Sequence, residues 1–176
     1  MLFSDRSLLT MLHGLVLSGG SLMLLFTALY SLRALSPNDG TAVSASQSNT
    51  FAWLTAAAAV LLWMSVISGT YVIFPLYRAS PPEGIASLID FPRALLVSRA
   101  DTRWLHSFAM EVKEHMPWIA AMLATAVAFI ARRHRGTVLA DAELRRITGW
   151  LLAIAIALVS LVALLGVFVN KVAPVW

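Results

Sequence analysis

The sequence predicts an all-α integral membrane protein: a four-helix bundle with an interfacial segment between helices two and three. Of the 176 residues, 59% are hydrophobic and 12% are charged, whereas a soluble domain is about 45–50% apolar and about 25% charged. The apolar residues stand in long runs, and runs above about 18 residues indicate membrane spans. Four such runs leave no room for a soluble domain, so we expect one transmembrane domain over residues 1–176.

The first apolar run is too long for the core of a signal peptide, and no clear small-residue cleavage site follows it. We therefore expect it to remain as a helix of the mature protein. In the third run, small residues spaced four apart predict a helix-contact face at Ala120, Ala124 and Ala128. The four predicted spans cover residues 8–32, 51–77, 104–131 and 147–169.

Two connections between the spans differ in character. Residues 36–50 are rich in serine, threonine and asparagine and read as a polar loop. Residues 78–102 contain proline breakers but are too apolar for a plain linker. We expect this second segment to lie along the membrane interface or to pack over the mouth of the bundle.

Composition excludes several classes of function. The chain has no cysteine, which excludes disulfides, iron–sulfur clusters, thiolate metal sites and covalently attached c-type haem. It carries 13 Lys and Arg against 9 Asp and Glu, and no nucleic-acid motif accompanies this excess. We assign the excess to loops beside lipid head groups.

The distribution of Lys and Arg does not fix the orientation, because the two sides of the membrane carry equal numbers. The compact basic stretch 132–146 is the more typical cytoplasmic loop, which would place both termini outside. The expected location is a bacterial inner membrane.

Ionisable residues gather at one end of the predicted bundle. Odd-numbered spans start from the same membrane face, so His13 in span one and residues 106–115 in span three are expected to share that end. Ionisable groups at membrane depth are costly and tend to be functional. The cluster is therefore the predicted site.

The third helix carries this cluster on two faces. Glu111, Glu114 and His115 lie within one turn of each other, while Lys113 lies nearly opposite His115 at 100° per residue. We expect Pro117 to bend the helix and the acidic–histidine face to point inward. Glu111 and Glu114 would then orient imidazoles or carry protons.

Two neutral imidazoles from two helices are what a b-type haem requires, and a four-helix bundle suits it. The predicted ligands are His13 and His115, with His106 as the alternate ligand. Gly20 lies two turns from His13 and is expected to leave space for a flat group.

Other interpretations stay open. His13 could be an interfacial histidine bound to a loop carbonyl, and His115 with its acidic neighbours could be a solvated helix start. Four residues could instead hold copper, iron or zinc through nitrogen and oxygen ligands, although their spacing is not the Glu-x-x-His of di-iron bundles. These four are Glu111, Glu114, His115 and His106.

Three stretches carry a family resemblance: Leu12-His13-Gly14 through Leu32-Arg33, Trp104 through Ala131, and Leu144-Arg145-Arg146 leading into span four. In architecture the chain resembles the membrane-embedded b-type cytochromes and the small four-helix proteins associated with assembly of haem–copper oxidases. It departs from them where span two ends on Tyr77 and Arg78 instead of histidine, so no second haem is expected.

The resemblance and the cluster together predict a small membrane subunit of a respiratory-type electron-transfer system that binds one haem b. Its expected partners are the lipid bilayer and other membrane or electron-transfer subunits, and we expect an electron-transfer or accessory subunit more than a stand-alone enzyme. One alternative is an assembly or structural subunit without a prosthetic group, whose segment 78–102 docks a partner. Another is a metal- or proton-coupled transport component, which with four spans would have to oligomerise.

Overall fold

The computed structural model describes residues 4–35 and 43–173, and this part of the chain contains helices and no β-strand. Four helices are long and apolar enough to cross a membrane, and a short helix lies between the second and third of them. They are α1 Asp5–Ala34, α2 Ala45–Arg78, α3 Pro92–Ser98, α4 Leu105–Arg133 and α5 Ala142–Val172. The predicted all-helical architecture with four candidate spans is confirmed.

Three of the four long helices, α1, α2 and α5, begin earlier than the predicted spans. The α2 helix starts at Ala45 because Ser44 caps it: the Gln47 N–H donates to Ser44 Oγ at 3.2 Å, and the Ser44 N–H donates to Gln47 Oε1 at 2.9 Å. The predicted loop 36–50 was therefore too long, and its residues 36–42 lie outside the described chain. The α5 helix likewise starts at a polar cap, where Asp141 Oδ1 accepts from the backbone N–H of Leu144 at 2.7 Å.

The four long helices close into a bundle. The α4 helix packs against α2 and α5, and α1 packs against the same two helices. Small side chains let the backbones approach: Ala120 and Ala124 of the predicted contact face are buried, and Ala128 is partly buried. Between α2 and α4, the Trp63 Nε1–H donates to Thr125 Oγ1 at 2.9 Å.

Three of the long helices contain a π-helical segment, which the sequence did not predict. These segments lie near the start of α1, near the end of α2 and at the start of α4, at Leu12–Gly19, Gly69–Ile73 and Leu105–Met110. In α2 the N–H of Phe74 donates to the carbonyl of Gly69, five residues back, and the widened turn accommodates the ring of Pro75. Wide turns of this kind are frequent at functional sites, and all three lie at the end of the bundle where the ionisable residues cluster.

The segment between α2 and α4 covers this same end. Leu96 of α3 is fully buried and belongs to an apolar cluster with Tyr77, Leu105 and Val169. Thr102 Oγ1 donates to the carbonyl of Leu96 at 3.0 Å and ties the end of the segment to α3. Of the two predicted placements, the structure shows packing over the bundle mouth, and we call residues 79–104 the lid.

The lid also carries an exposed ion pair. The Arg99 guanidinium donates to Asp101 through two hydrogen bonds of 3.2 and 2.9 Å. These bonds hold the pKa of the Asp101 carboxyl below its usual range. The pair stabilises a local turn and, being exposed, contributes little to overall stability.

Candidate functional site

His13 is held inside the covered end of the bundle by α2. Its Nδ1 is hydrogen-bonded to Ser68 Oγ at 3.0 Å, and its ring edge packs against Gly69. A Cβ at position 69 would lie 2.8 Å from His13 Cε1, closer than van der Waals contact permits. Glycine at position 69 therefore leaves a notch for the imidazole.

Serine hydroxyls continue from His13 along the contact between α1 and α2. Ser68 Oγ donates to the carbonyl of Ser65 at 3.1 Å, and the hydroxyls of Ser65 and Ser18 are 2.6 Å apart. Ser18 Oγ also donates to the carbonyl of His13 at 3.0 Å, which fits the π-helical turn. The series ends at Ser21, which is fully buried and donates to the carbonyl of Ser18 at 2.8 Å.

Lys113 enters the bundle from α4. A Cβ at Gly166 of α5 would lie 2.8 Å from Lys113 Nζ, so this second glycine leaves a notch for the ammonium. In the described part of the chain, no carboxylate oxygen lies within 4.0 Å of Nζ. Two half-buried basic side chains from different helices thus lie at this end of the bundle, and neither has an acidic partner among the described residues.

The acidic–histidine face of α4 points away from the bundle. The side chains of His115 and Glu111 are 68% and 65% exposed. His115 Nδ1 is 2.8 Å from the backbone carbonyl of Glu111, while the Glu111 carboxylate is 3.9 Å away. The prediction that Glu111 and His115 point inward is wrong, because Lys113 on the opposite face is the residue that enters. Glu114 is half-buried at the edge between the two faces.

His106 forms a second contact, nearer the lid. Its Nδ1 is 2.8 Å from the hydroxyl of Tyr77 on α2, and the two rings lie 6.0 Å apart. The charges of Arg93 on the lid and Glu114 on α4 both act on this pair. His106 and Lys113 lie on one face of α4, about 10 Å apart along the helix, so His106 stands between the lid and the interior lysine.

The three histidines share one feature: each has its Nδ1 hydrogen-bonded, and no hydrogen bond to Nε2 forms within the described part of the chain. Imidazoles that bind a metal are oriented in this way. Their placement, however, does not fit the predicted pair of haem ligands. His13 points into the bundle and His115 out of it, so ligation of one iron by both would require a helix to rotate.

The alternate pair does not fit one iron either, since His13 and His106 contact α2 at Ser68 and Tyr77, roughly 13 Å apart along the helix axis. The gap expected beside Gly20 is occupied by Leu61, whose Cδ1 would lie 3.5 Å from a Cβ there. Among the described residues, no three His, Asp or Glu side chains are grouped closely enough to hold a metal ion. The arrangement instead suits proton exchange between basic groups.

Several residues of this site escaped the sequence reasoning. Ser65 and Ser68 look like ordinary polar residues of a membrane helix, and Gly69 and Gly166 look like ordinary glycines. A usable signal did exist: Ala120 and Ala124 form the contact face of α4, and Lys113 lies within about 20° of that face at 100° per residue.

Comparison of the chain with models of known families, with curated proteins and with solved structures gives no significant match.

Proposed function

We propose that the protein is a small integral membrane subunit of a respiratory-type electron-transfer system, and that it contributes a proton-exchanging site at one membrane face. The observation that supports this is the placement of Lys113 and His13, both half-buried and each packed against a glycine of a neighbouring helix, with no acidic partner among residues 4–35 and 43–173. Ionisable groups at membrane depth are expensive and are retained for function. The electron-transfer context comes from the architectural resemblance to b-type cytochromes.

In the proposed mechanism, protons reach the interior from the lid side. The imidazole of His106, held by Tyr77, would take up a proton at the mouth and release it to water, which would carry it the roughly 10 Å along α4 to Lys113. Lys113 and His13 would then exchange the proton through water, between the ammonium and the free imidazole nitrogen. Ser68 fixes the orientation of the His13 ring, so that Nε2 stays available as the acceptor.

The site is proposed to open to one face only. Beyond Ser21 most buried side chains are apolar, with Leu25, Ala28 and Leu62 among them. The buried hydroxyls that the structure describes in this half are those of Ser48, Thr55 and Thr148. The hydroxyls of Thr55 and Thr148 in the far half donate to carbonyls of their own helices. A through-path for protons is therefore not expected, which argues against the transport alternative.

Lysine labelling gives a direct test, because the chain contains only two lysines, Lys113 and Lys171. In protein labelled with 15N at the lysine Nζ and placed in lipid nanodiscs, we expect the Lys113 signal to respond to the pH of the medium. The exposed Lys171 at the end of α5 provides the control signal in the same spectrum. Lys113→Met assigns the two signals.

Two results would contradict the proposal. One is a Lys113 signal that stays constant at every pH at which the protein remains folded, since the site would then be sealed. The other is proton flux through reconstituted vesicles above that of protein-free vesicles, since the site would then be part of a transmembrane path. We also expect His106→Ala to slow proton exchange at Lys113, while His134→Ala at the opposite end leaves it unchanged.

Binding of haem b is a second candidate, favoured by the oriented imidazole of His13 with its free Nε2. The test is a reduced-minus-oxidised spectrum of protein expressed with added haem precursor. Haem binding predicts Soret and α bands that His13→Ala removes and His134→Ala retains. Absence of both bands from a fully loaded preparation would refute this candidate and leave the proton-exchange proposal intact.

A further inference from the structure

A groove of about 600 Å³ lies between α2 and α4, in the half of the bundle away from His13 and Lys113. Its walls are apolar, with Ala59 and Val60 on α2 and Ala128 and Phe129 on α4. The groove is open toward the outside of the bundle. Because it lies on two candidate membrane spans, it would face the hydrocarbon of a bilayer.

The polar groups in the groove wall are already satisfied. The indole N–H of Trp63 donates to Thr125 Oγ1 at 2.9 Å, and the Thr125 hydroxyl donates to the carbonyl of Ala121 at 2.8 Å. Away from the arginines at its end, the hydrogen-bonding donors of the groove wall are therefore already used. The apolar part of the groove therefore suits an aliphatic chain.

Two arginines stand at the end of the groove. Arg132 and Arg133 line it in the last turn of α4, where the helix leaves the apolar core. The Arg132 guanidinium lies 5.0 Å from the ring centre of Trp53 on α2, which holds it beside the groove. Neither arginine has a carboxylate within 4.0 Å in the described part of the chain.

We propose that this groove binds an anionic phospholipid, with an acyl chain between α2 and α4 and the phosphate at Arg132 and Arg133. Guanidinium groups recognise phosphate through paired hydrogen bonds. Basic pockets between membrane helices bind anionic head groups. The apolar walls of the groove match the acyl chain of such a lipid, and the two arginines at its end match the phosphate.

Native mass spectrometry of the full chain in detergent, titrated with phosphatidylglycerol or phosphatidylcholine, tests this. We expect phosphatidylglycerol to be retained about tenfold more tightly and Arg132→Gln to abolish that preference. Arg135→Gln is the matched control: it removes the same charge three residues away, outside the groove lining, and should leave the preference unchanged. Far-UV circular dichroism verifies that each variant is folded.

Ala128→Leu keeps both arginines but fills the groove, so it should weaken retention of phosphatidylglycerol. Inorganic phosphate at matched concentration should not displace the bound lipid, because it lacks the acyl chain. Equal retention of the two lipids, an equal loss in Arg132→Gln and Arg135→Gln, or full displacement by inorganic phosphate would each overturn the proposal.

Discussion

Replacing Gly69 by alanine tests how tightly α2 holds His13. The new Cβ would lie 2.8 Å from His13 Cε1, and the imidazole is too rigid to yield without leaving its place. Overpacking of this kind costs about 1–3 kcal/mol, and loss of the bond to Ser68 adds about 0.6 kcal/mol, the average for membrane helices. The better helix propensity of alanine returns up to about 1 kcal/mol. We therefore expect Gly69→Ala to destabilise the protein by about 2 kcal/mol.

Gly149→Ala is the matched control, because a Cβ there would lie 3.5 Å from Leu32 Cδ2, an ordinary contact. Reversible unfolding in mixed micelles should show it to be neutral or slightly stabilising. His13→Ala removes the ring that the new methyl group meets, so the double variant His13→Ala/Gly69→Ala should be more stable than the two single changes predict by addition. The reasoning is refuted if Gly69→Ala is as harmless as Gly149→Ala, or if the double-mutant cycle shows no coupling.

Three further outcomes are expected. Trp63→Phe removes an interhelical hydrogen bond of 2.9 Å and should lower the free energy of unfolding in mixed micelles by about 0.6 kcal/mol; no change would mean that the bond does not form. Leu96→Ala removes the fully buried side chain that packs the lid helix onto the bundle and should speed proteolysis of the lid, whereas Ile89→Ala, at an exposed position, should not; equal rates would contradict the packing of the lid. Arg99→Gln should raise the pKa of the Asp101 carboxyl toward its usual value in an NMR titration, because two hydrogen bonds are lost; an unchanged pKa would show that the pair does not form in solution.

Hydropathy predicts the four spans well because it depends on the sum over about twenty residues. It places the helix ends poorly, because these depend on single polar side chains. Ser44 with Gln47, and Asp141 with the N–H of Leu144, start α2 and α5 several residues before the apolar runs begin. The π-helical segments leave no periodic signal, so sequence reasoning had no means of finding them.

The order of the spans predicts that His13 and Lys113 lie at the same end of the bundle. The structure agrees: His13 contacts Ser68 and Gly69 near the end of α2, and Lys113 contacts Gly166 near the end of α5. The prediction of the inward face of α4 is wrong because both faces carry ionisable side chains. The carboxylates favoured the face with Glu111 and His115. The side of α4 that packs against the other helices is the one with Ala120 and Ala124, and Lys113 lies on that side. The partners of Lys113 and His13 are glycines on other helices, and a single sequence does not reveal such pairs.

The proposed site requires Lys113 to be half-buried, with its ammonium against Gly166 of α5, while the other lysine, Lys171, is exposed. A water-soluble paramagnetic gadolinium chelate, added to nanodiscs that hold the 15N-lysine-labelled protein, measures this directly through relaxation of the two Nζ signals. Relaxation enhancement at Lys171 with little at Lys113 is the result that the structure predicts. Equal enhancement of both signals would contradict the interior placement of Lys113 and, with it, the proposed site.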